Sequence, residues 1–175
     1  WSRTFPCTAK RSAVHFAAFA APGHRRGASS FLSLPYPIMS HAVSRLRADR
    51  LARSVKPFIA RGSRAPRCPG CRVIFDYCLC EWRPRVAAES AMCLLMHDTE
   101  PLKPTNTGWL IADVIEDTTA FGWQRTVVDD ALLALLDQPQ WQPYIVFPGE
   151  FVQPQRVVTE VQPAQGKRPL FILLD

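Results

Sequence analysis

An unbroken apolar run, Ala91–Met96, limits what this chain can fold into more than any other stretch of its sequence. The run is too short to cross a membrane and has the length of a strand buried on both faces, as strands of parallel sheets are. It stops abruptly at His97, and a polar loop with two prolines leads to Asn106 and Thr107, either of which can cap a helix. This pattern fits an ordinary strand-to-helix connection. It equally fits a ligand site, because ligands of parallel α/β sheets bind beyond the carboxyl ends of the strands.

Downstream of this loop, helix-like and strand-like segments alternate. The first helix should place Trp109 and Leu110 on its buried side. Strands separated by helices imply right-handed crossovers and a parallel sheet, so we expect an α/β fold with one crevice at its strand ends. The residues at this crevice are His97, Glu100, the turn at 148–150 and Asp175. The predicted segments are the helices Thr107–Glu116 and Ala131–Leu136 and the strands Gly122–Val128, Tyr144–Phe147 and Leu170–Leu174.

Four cysteines form a compact CxxC and CxC arrangement: Cys68 with Cys71, then Cys78 with Cys80. Two tight turns that each present a pair of thiolates fit one tetrahedral Zn²⁺ site. Disulfides are the alternative, and they suit an oxidising compartment that nothing else in the sequence indicates. Four thiolates fill the coordination sphere, so the zinc would be structural. Cys93 lies in the apolar run and is expected to be an inert core thiol.

Positive charge is concentrated before these cysteines. Residues 1–67 carry thirteen Lys and Arg against Asp49 alone, whereas the rest of the chain carries eight against fourteen acidic residues. Ser40 can cap a helix that runs to about Val55 within a basic arm, residues 39–67. Such an arm can lie along a phosphate backbone, and a solvated basic helix is the alternative. The candidate RNA contacts are Arg45, Arg47, Arg50, Arg53 and Arg64.

Residues 1–38 differ in character from the rest of the chain. They start with Trp1, carry five Lys and Arg without an acidic residue, and contain prolines that interrupt any amphipathic helix. Because Met39 looks like a natural start, we expect a disordered or non-native extension; an organellar transit peptide is the alternative. The chain has no signal-peptide core and no span of about 20 apolar residues. We therefore expect a soluble cytoplasmic protein without a membrane partner.

Several motifs, taken together and in this order, resemble the DTW-domain family from about Arg67 to the end of the chain. They are the four-cysteine knuckle (68–84) with basic residues before it, the strand ending in His97 with Glu100, the helix start Asn106-Thr107-Gly108, the segment 121–126 (Phe-Gly-Trp-Gln-Arg-Thr), the turn 146–150 (Val-Phe-Pro-Gly-Glu) and the final Leu173-Leu174-Asp175. The family comprises tRNA-uridine aminocarboxypropyltransferases, which transfer the 3-amino-3-carboxypropyl group of S-adenosylmethionine to N3 of a uridine in tRNA. The resemblance implies a SPOUT-like, mostly parallel fold with a knotted cofactor site, of which residues 85–175 would form the N-terminal part.

The resemblance also implies roles for individual residues. Asp175 is the first candidate for the base that accepts the N3 proton, and Glu100 is the second. The other expected contacts are with S-adenosylmethionine: Phe147, Pro148 and Gly149 against its adenosine, and His97, Asn106 and Thr107 at its amino-acid end unless these three are structural.

Asp175 would be the first residue of the motif that names the family, and the Thr and Trp expected after it are absent. The chain is thus expected to be a C-terminally truncated fragment that lacks the knot and is inactive. Two other functions stay open. One is a non-catalytic zinc-knuckle RNA-binding protein, and the other is an S-adenosylmethionine-dependent RNA methyltransferase on a related fold.

Overall fold

A computed structural model describes residues 40–175, so the expectations for residues 1–38 lie outside the described residues. Its centre is a four-stranded, all-parallel sheet, which confirms the predicted α/β class. No helix among the described residues is long and apolar enough to cross a membrane. The strands are β1 (Ala91–His97), β2 (Thr118–Trp123), β3 (Trp141–Val146) and β4 (Arg168–Leu174), and the α-helices are α1 (Ala42–Ala52), α2 (Thr107–Val114) and α3 (Asp130–Leu136).

The strand order is β2-β1-β4-β3, with β1 and β4 in the centre. The chain steps outward from β1 to β2 through α2, and then back across the sheet to β3 through α3. Because parallel crossovers are right-handed, steps in opposite directions place their helices on opposite faces. Helices α1 and α2 therefore cover one face and α3 covers the other.

The side chains of β1 alternate between two hydrophobic cores, one on each face of the sheet. Leu94 and Met96 are fully buried and pack with Val43 of α1 and Trp109 of α2. Cys93 is fully buried on the α3 side, as expected of a core thiol. Burying each large apolar side chain stabilises the fold by roughly 1.5–3 kcal/mol, so β1 contributes to both halves of the core. The other buried members of the α3-side core are Ala91, Leu132, Leu170 and Ile172.

Helix α1 starts at a different cap from the one predicted. His41 is the N-cap residue: its Nδ1 accepts a hydrogen bond from the backbone N–H of Ser44 at 3.3 Å, and Ser44 Oγ accepts one from the His41 N–H at 2.9 Å. This reciprocal capping box satisfies two backbone donors, whereas a hydroxyl at Ser40 would satisfy one. The predicted Ser40 cap is therefore wrong, and the helix ends at Ala52, before the predicted Val55.

The predicted strand Gly122–Val128 is also wrong, because β2 starts earlier, at Thr118. Thr118 Oγ1 donates to the carbonyl of Ile115 at 2.7 Å and closes the turn after α2. The backbone N–H of Met92 donates to the carbonyl of Asp117 at 2.8 Å, so pairing with β1 begins at once. Strand β2 ends at Trp123, one residue after the predicted start at Gly122.

The buried face of α2 is more polar than the sequence suggested. Trp109 is buried as predicted, but Leu110 is 53% exposed. Asp113 lies on the inner face instead, together with Ala112. Residues three and four positions after Trp109 share its side of the helix, so the position of this tryptophan sets which neighbours are buried.

Candidate functional site

The sulfur atoms of Cys68, Cys71, Cys78 and Cys80 all lie within 4.8 Å of one another. The Sγ atoms of Cys68 and Cys80 are 3.5 Å apart, and those of Cys71 and Cys78 are 3.8 Å apart. Four sulfurs at about 2.3 Å from a tetrahedral zinc would be about 3.8 Å apart. A disulfide requires about 2.05 Å, so these four are free thiols and the disulfide alternative is excluded for them. The four residues fit a structural zinc ion.

The backbone of the knuckle is shaped around these sulfurs. A Cβ atom on Gly70 would lie 2.9 Å from Cys80 Sγ, so a side chain at that position would displace a ligand. The N–H of Leu79 donates to Cys71 Sγ at 3.4 Å. Burial by itself raises the pKa of the Cys68 thiol, but hydrogen bonds, first among them that from the backbone of Cys71, lower it to about 7. The pKa of the Cys80 thiol is raised instead, first by burial and then by its hydrogen bond with Cys68, to about 12, so Cys68 is the thiol that releases its proton more readily to a metal, which binds the thiolate form.

Trp109 attaches the knuckle to the rest of the domain. Its indole Nε1 donates to the carbonyl of Gly70 at 3.1 Å, and the guanidinium carbon of Arg72 lies 5.6 Å from the ring centroid. The ring of His41 meets the indole edge-on, with centroids 4.5 Å apart. The knuckle and both helices α1 and α2 thus pack around one buried ring, whose polar edge has a partner as buried indoles require.

A buried carboxylate, Asp113, lies beside this ring and was missed by sequence reasoning. Its Oδ1 accepts from the guanidinium of Arg83 and is 3.4 Å from His41 Nε2. Burial raises the pKa of Asp113, although Arg83 opposes this. Burial, followed by the charges of Arg83 and Arg45, lowers the pKa of His41 to about 4. The sequence signal for the cluster is a charged residue four positions after Trp109, on the same helical face.

At the carboxyl ends of the strands, the structure brings Asp175 and Asn106 together. Asn106 Nδ2 donates to Asp175 Oδ2 at 2.7 Å, while its Oδ1 accepts from the Trp109 backbone N–H at 2.8 Å. Asn106 is therefore the cap of α2, and Thr107 is an exposed residue at the first helical position. A Cβ on Gly108 would collide with Met96 Cε and lie 3.2 Å from Asp175 Oδ2. The absence of a side chain at Gly108 lets the carboxylate approach the start of the helix.

Glu100 and His97 border the same edge but have partners of their own. The Glu100 carboxylate pairs with Lys103 and is 14% exposed. The backbone N–H of Thr99 donates a hydrogen bond to Nδ1 of His97, with 3.5 Å between the two nitrogen atoms. The backbone N–H of His97 donates to the Asp175 carbonyl at 3.1 Å, which continues the pairing of β1 with the end of β4.

Phe147, Pro148 and Gly149 follow β3, the strand next to β4, so they lie at the same edge of the sheet. Phe147 packs on Phe151 with ring centroids 5.8 Å apart. A Cβ on Gly149 would be 3.2 Å from Val157 Cγ1, which shows how closely the following segment approaches the turn. Half of the Phe147 side chain is exposed, so the loop presents an apolar face at this edge.

The structure separates the five predicted RNA-binding arginines into two groups. Arg47 donates to the carbonyls of Pro101 and Leu102 at 3.2 and 3.1 Å, and Arg50 makes two hydrogen bonds, of 2.7 and 2.8 Å, to the Asp98 carboxylate. These two guanidinium groups hold α1 against the loop after β1. The three exposed members are Arg45, Arg53 and Arg64.

The fold and the site define a mixed α/β domain built on a parallel sheet and joined to a four-thiol centre. Residues 65–175 match the family described as the DTW domain. The protein therefore belongs to the DTW-domain family, as its sequence motifs predicted. This membership supports a general role in tRNA modification. No solved structure matches the chain.

We expect freshly purified, reduced protein to contain about one zinc per chain, because four thiolates in this geometry match the preference of that ion. The double change Cys68→Ser and Cys71→Ser should release the metal and unfold the knuckle while the sheet persists. Metal analysis and hydrogen exchange of β1 measure the two effects. The control is Cys93→Ala, which removes a thiol outside the cluster and should retain the zinc. Reduced wild-type protein without zinc would contradict the assignment.

Stability should depend on the protonation of His41. The pKa of His41 is about 4 in the folded protein and 6.5 in the unfolded chain. Neutral His41 therefore contributes its full share of the unfolding free energy above pH 6.5, and this contribution is lost as the pH falls towards 4. Between pH 7.5 and 5.5 the linkage lowers the unfolding free energy by roughly 1–1.5 kcal/mol. His41→Asn keeps a capping oxygen but does not titrate, so its stability should fall less over this range.

Urea unfolding at the two pH values measures this difference. Asp113 contributes with the opposite sign, since its raised pKa favours the folded state at lower pH. Asp113, Arg83 and Arg45 are present in the wild type and in His41→Asn alike, so their own titration does not account for a difference between the two proteins. An equal loss of stability in the wild type and in His41→Asn would show that His41 is not the titrating group.

Proposed function

We propose that this protein is a tRNA-uridine aminocarboxypropyltransferase with a SPOUT-like fold. The observation that carries the proposal is the position of Asp175 in a chain of the DTW-domain family. It stands at the carboxyl end of a central strand, held by Asn106 beside the start of α2. In parallel α/β sheets this edge is where ligands bind.

The chemistry requires a group that accepts a proton. Uridine N3 attacks the γ-carbon of the methionine moiety, so an N–C bond forms and the bond from that carbon to sulfur breaks. The sulfonium leaves as neutral methylthioadenosine and needs no acid, but the N3 proton must pass to a base. The protein must also direct attack to this carbon rather than to the methyl group, which is a matter of orientation.

The contacts of the two candidate bases support Asp175 over Glu100. Asp175 Oδ2 accepts from Asn106, which leaves Oδ1 to accept the proton. The Glu100 carboxylate is paired with the ammonium of Lys103, and protonating it would break that ion pair. We therefore assign Asp175 as the general base that accepts the N3 proton. We assign the turn Phe147, Pro148 and Gly149 to the adenosine, and Asn106, Thr107 and His97 to the amino-acid end of S-adenosylmethionine.

For RNA, the exposed arginines of the 39–67 segment support binding through phosphates. Among the described residues, the side chains of Arg45 and Arg53 donate hydrogen bonds to nearby backbone carbonyls, at 3.2 and 3.3 Å. Their guanidinium groups keep donors that can reach a phosphate, and each contact adds affinity that depends on salt and not on sequence. A zinc-knuckle protein that binds tRNA without modifying it would use the same groups, so catalysis must be measured directly.

The catalytic proposal predicts that the gene product containing this chain converts a uridine of tRNA to its aminocarboxypropyl derivative and releases methylthioadenosine. Asp175→Asn should lower the rate by about 100-fold or more, because it removes a general base while preserving side-chain shape. Mass spectrometry of digested tRNA detects the product.

The control is Glu100→Gln, which should retain most of the activity. Full activity in Asp175→Asn with loss in Glu100→Gln would transfer the base role to Glu100. A methylated nucleoside would instead identify a methyltransferase, and tRNA binding without any modified nucleoside would leave a binding protein.

The arginine assignment predicts two distinct phenotypes. Replacing Arg45, Arg53 and Arg64 together by Ala should weaken tRNA binding and reduce the slope of log K against log salt by about 2–3. Arg47→Ala is the matched control. It should lower the unfolding midpoint, because it leaves two carbonyls without their donor, and leave the salt slope unchanged. Equal salt slopes in the wild type and the triple variant would show that the exposed arginines do not contact RNA.

A further inference from the structure

The knuckle exposes three aromatic side chains within one short segment, Phe75–Trp82. Phe75, Tyr77 and Trp82 are 49%, 72% and 78% exposed. Cys78 and Cys80, which lie between Tyr77 and Trp82 in the chain, belong to the thiol cluster. A segment this short that folds around four sulfurs has no hydrophobic core that could accept the rings. The roles proposed for other residues leave these three without a function.

Arg67 ties a turn of the basic arm to this aromatic segment. Its Nη1 donates to the carbonyl of Arg72 in the knuckle at 3.0 Å, and its Nε donates to the carbonyl of Gly62 at 3.4 Å. Arg67 also forms an antiparallel bridge with Ile74, the residue before Phe75. The chain turns at Gly62, whose positive φ of 80° suits glycine. The turn is therefore connected to the residues that lead into the aromatic segment.

Two arginines at this turn keep their guanidinium groups for a ligand. Arg61 and Arg64 are exposed, and neither side chain has a hydrogen bond or an ion pair within the part of the chain that the structure describes. Residues 61–85 carry six arginines against Asp76 and Glu81, so the region stays positive even with the double negative charge of a zinc ion bound to four thiolates. The two carboxylates repel phosphates, which favours phosphate contacts at the turn and leaves the rings for bases.

We propose that the knuckle binds an unpaired segment of tRNA, with bases stacked on Tyr77 and Trp82 and phosphates contacted by Arg61 and Arg64. The inference rests on the proposed function, because it names the surface that holds the tRNA substrate. Single-stranded RNA is commonly bound by aromatic rings that stack on bases, together with cations that follow the backbone. The arginines favour RNA over a protein partner, since a phosphate backbone offers a negative charge at every nucleotide.

The knuckle is attached to α2 on both sides of the aromatic segment. Before the segment, the carbonyl of Gly70 accepts from the indole of Trp109. After it, the guanidinium of Arg83 pairs with the buried carboxylate of Asp113. RNA that stacks on the knuckle is therefore held in a set position relative to the sheet whose edge is proposed for the transfer.

The test measures binding of a fluorescent single-stranded RNA of mixed sequence to the zinc-loaded wild type and to the double variant Tyr77→Leu with Trp82→Leu. Loss of two base stacks should weaken binding by about 10-fold or more. Tyr77→Phe with Trp82→Phe should restore most of the affinity, since both changes keep a ring. The matched control is Trp123→Leu, which removes a half-exposed indole at the end of β2, outside the knuckle, and should retain the affinity.

Two further measurements address the phosphates and the place of contact. Arg61→Ala with Arg64→Ala should lower the slope of log K against log salt by about 1–2, because each phosphate contact on a single strand contributes about 0.7. Photocrosslinking of the wild type with oligonucleotides that contain 4-thiouridine should label the peptide with Tyr77 and Trp82. This labelling does not depend on how well any variant folds.

Equal affinity of the wild type and the double Leu variant, or labelling at Trp123 instead of the knuckle, would overturn the inference even if tRNA is modified normally. Competition by duplex RNA as strong as that by a single strand would also overturn it, because paired bases cannot stack on the rings. Loss of a protein complex without loss of RNA affinity would assign the rings to a protein partner. RNA binding that depends on Tyr77 and Trp82 but yields no modified uridine would instead refute the proposed transferase and retain the binding surface.

Discussion

The described part of the chain depends on the burial of one indole. Trp109 donates through its ring nitrogen to Gly70 in the knuckle and through its backbone nitrogen to Asn106, whose amide in turn holds Asp175. The same ring packs on the edge of His41 and lies in the core beneath α1 and α2. The four-cysteine cluster, distant in sequence, and the end of a central strand are thus connected by two donors of one residue. A phenylalanine would fill much of the volume and lose the contact to Gly70, so hydrogen bonding as well as size defines this position.

The polar cluster beside this ring adds specificity more than stability. Asp113 is buried with Arg83 and His41, yet its Oδ2 and the Nε2 of His41 have no hydrogen-bond partner among the described residues. Burying charges costs free energy that pairing only partly offsets, and an apolar substitute of the same shape would often be as stable. What the ion pair contributes is a fixed register between α2 and the segment that leaves the knuckle, because a shifted helix would bury Asp113 without Arg83.

Patterns that depend on local chemistry were readable from the sequence. The run Ala91–Met96 indicated a buried strand, and four thiols at short spacing indicated a metal site. Features that depend on contacts between residues far apart in the sequence could not be predicted from it. Leu110 is apolar and was expected inside, but the orientation of α2 is fixed by Trp109, which brings Asp113 inward. The start of β2 depends on its pairing with β1, and the two groups of arginines differ through loop carbonyls and a carboxylate more than 45 positions away.

The order of the strands has a consequence for how the chain is made. Strand β4 follows the other three described strands in the sequence but lies between β1 and β3, so neither of these can complete its pairing before β4 is synthesised. On the ribosome, α1 and the knuckle emerge before the sheet and form through short-range contacts, while β1 waits with one edge open for a partner more than seventy positions later. Non-local parallel pairing is slow, and open strand edges attract other chains. The central strand therefore makes the interval between the synthesis of β1 and that of β4 the period in which the nascent sheet is most exposed to misassembly and most dependent on chaperones.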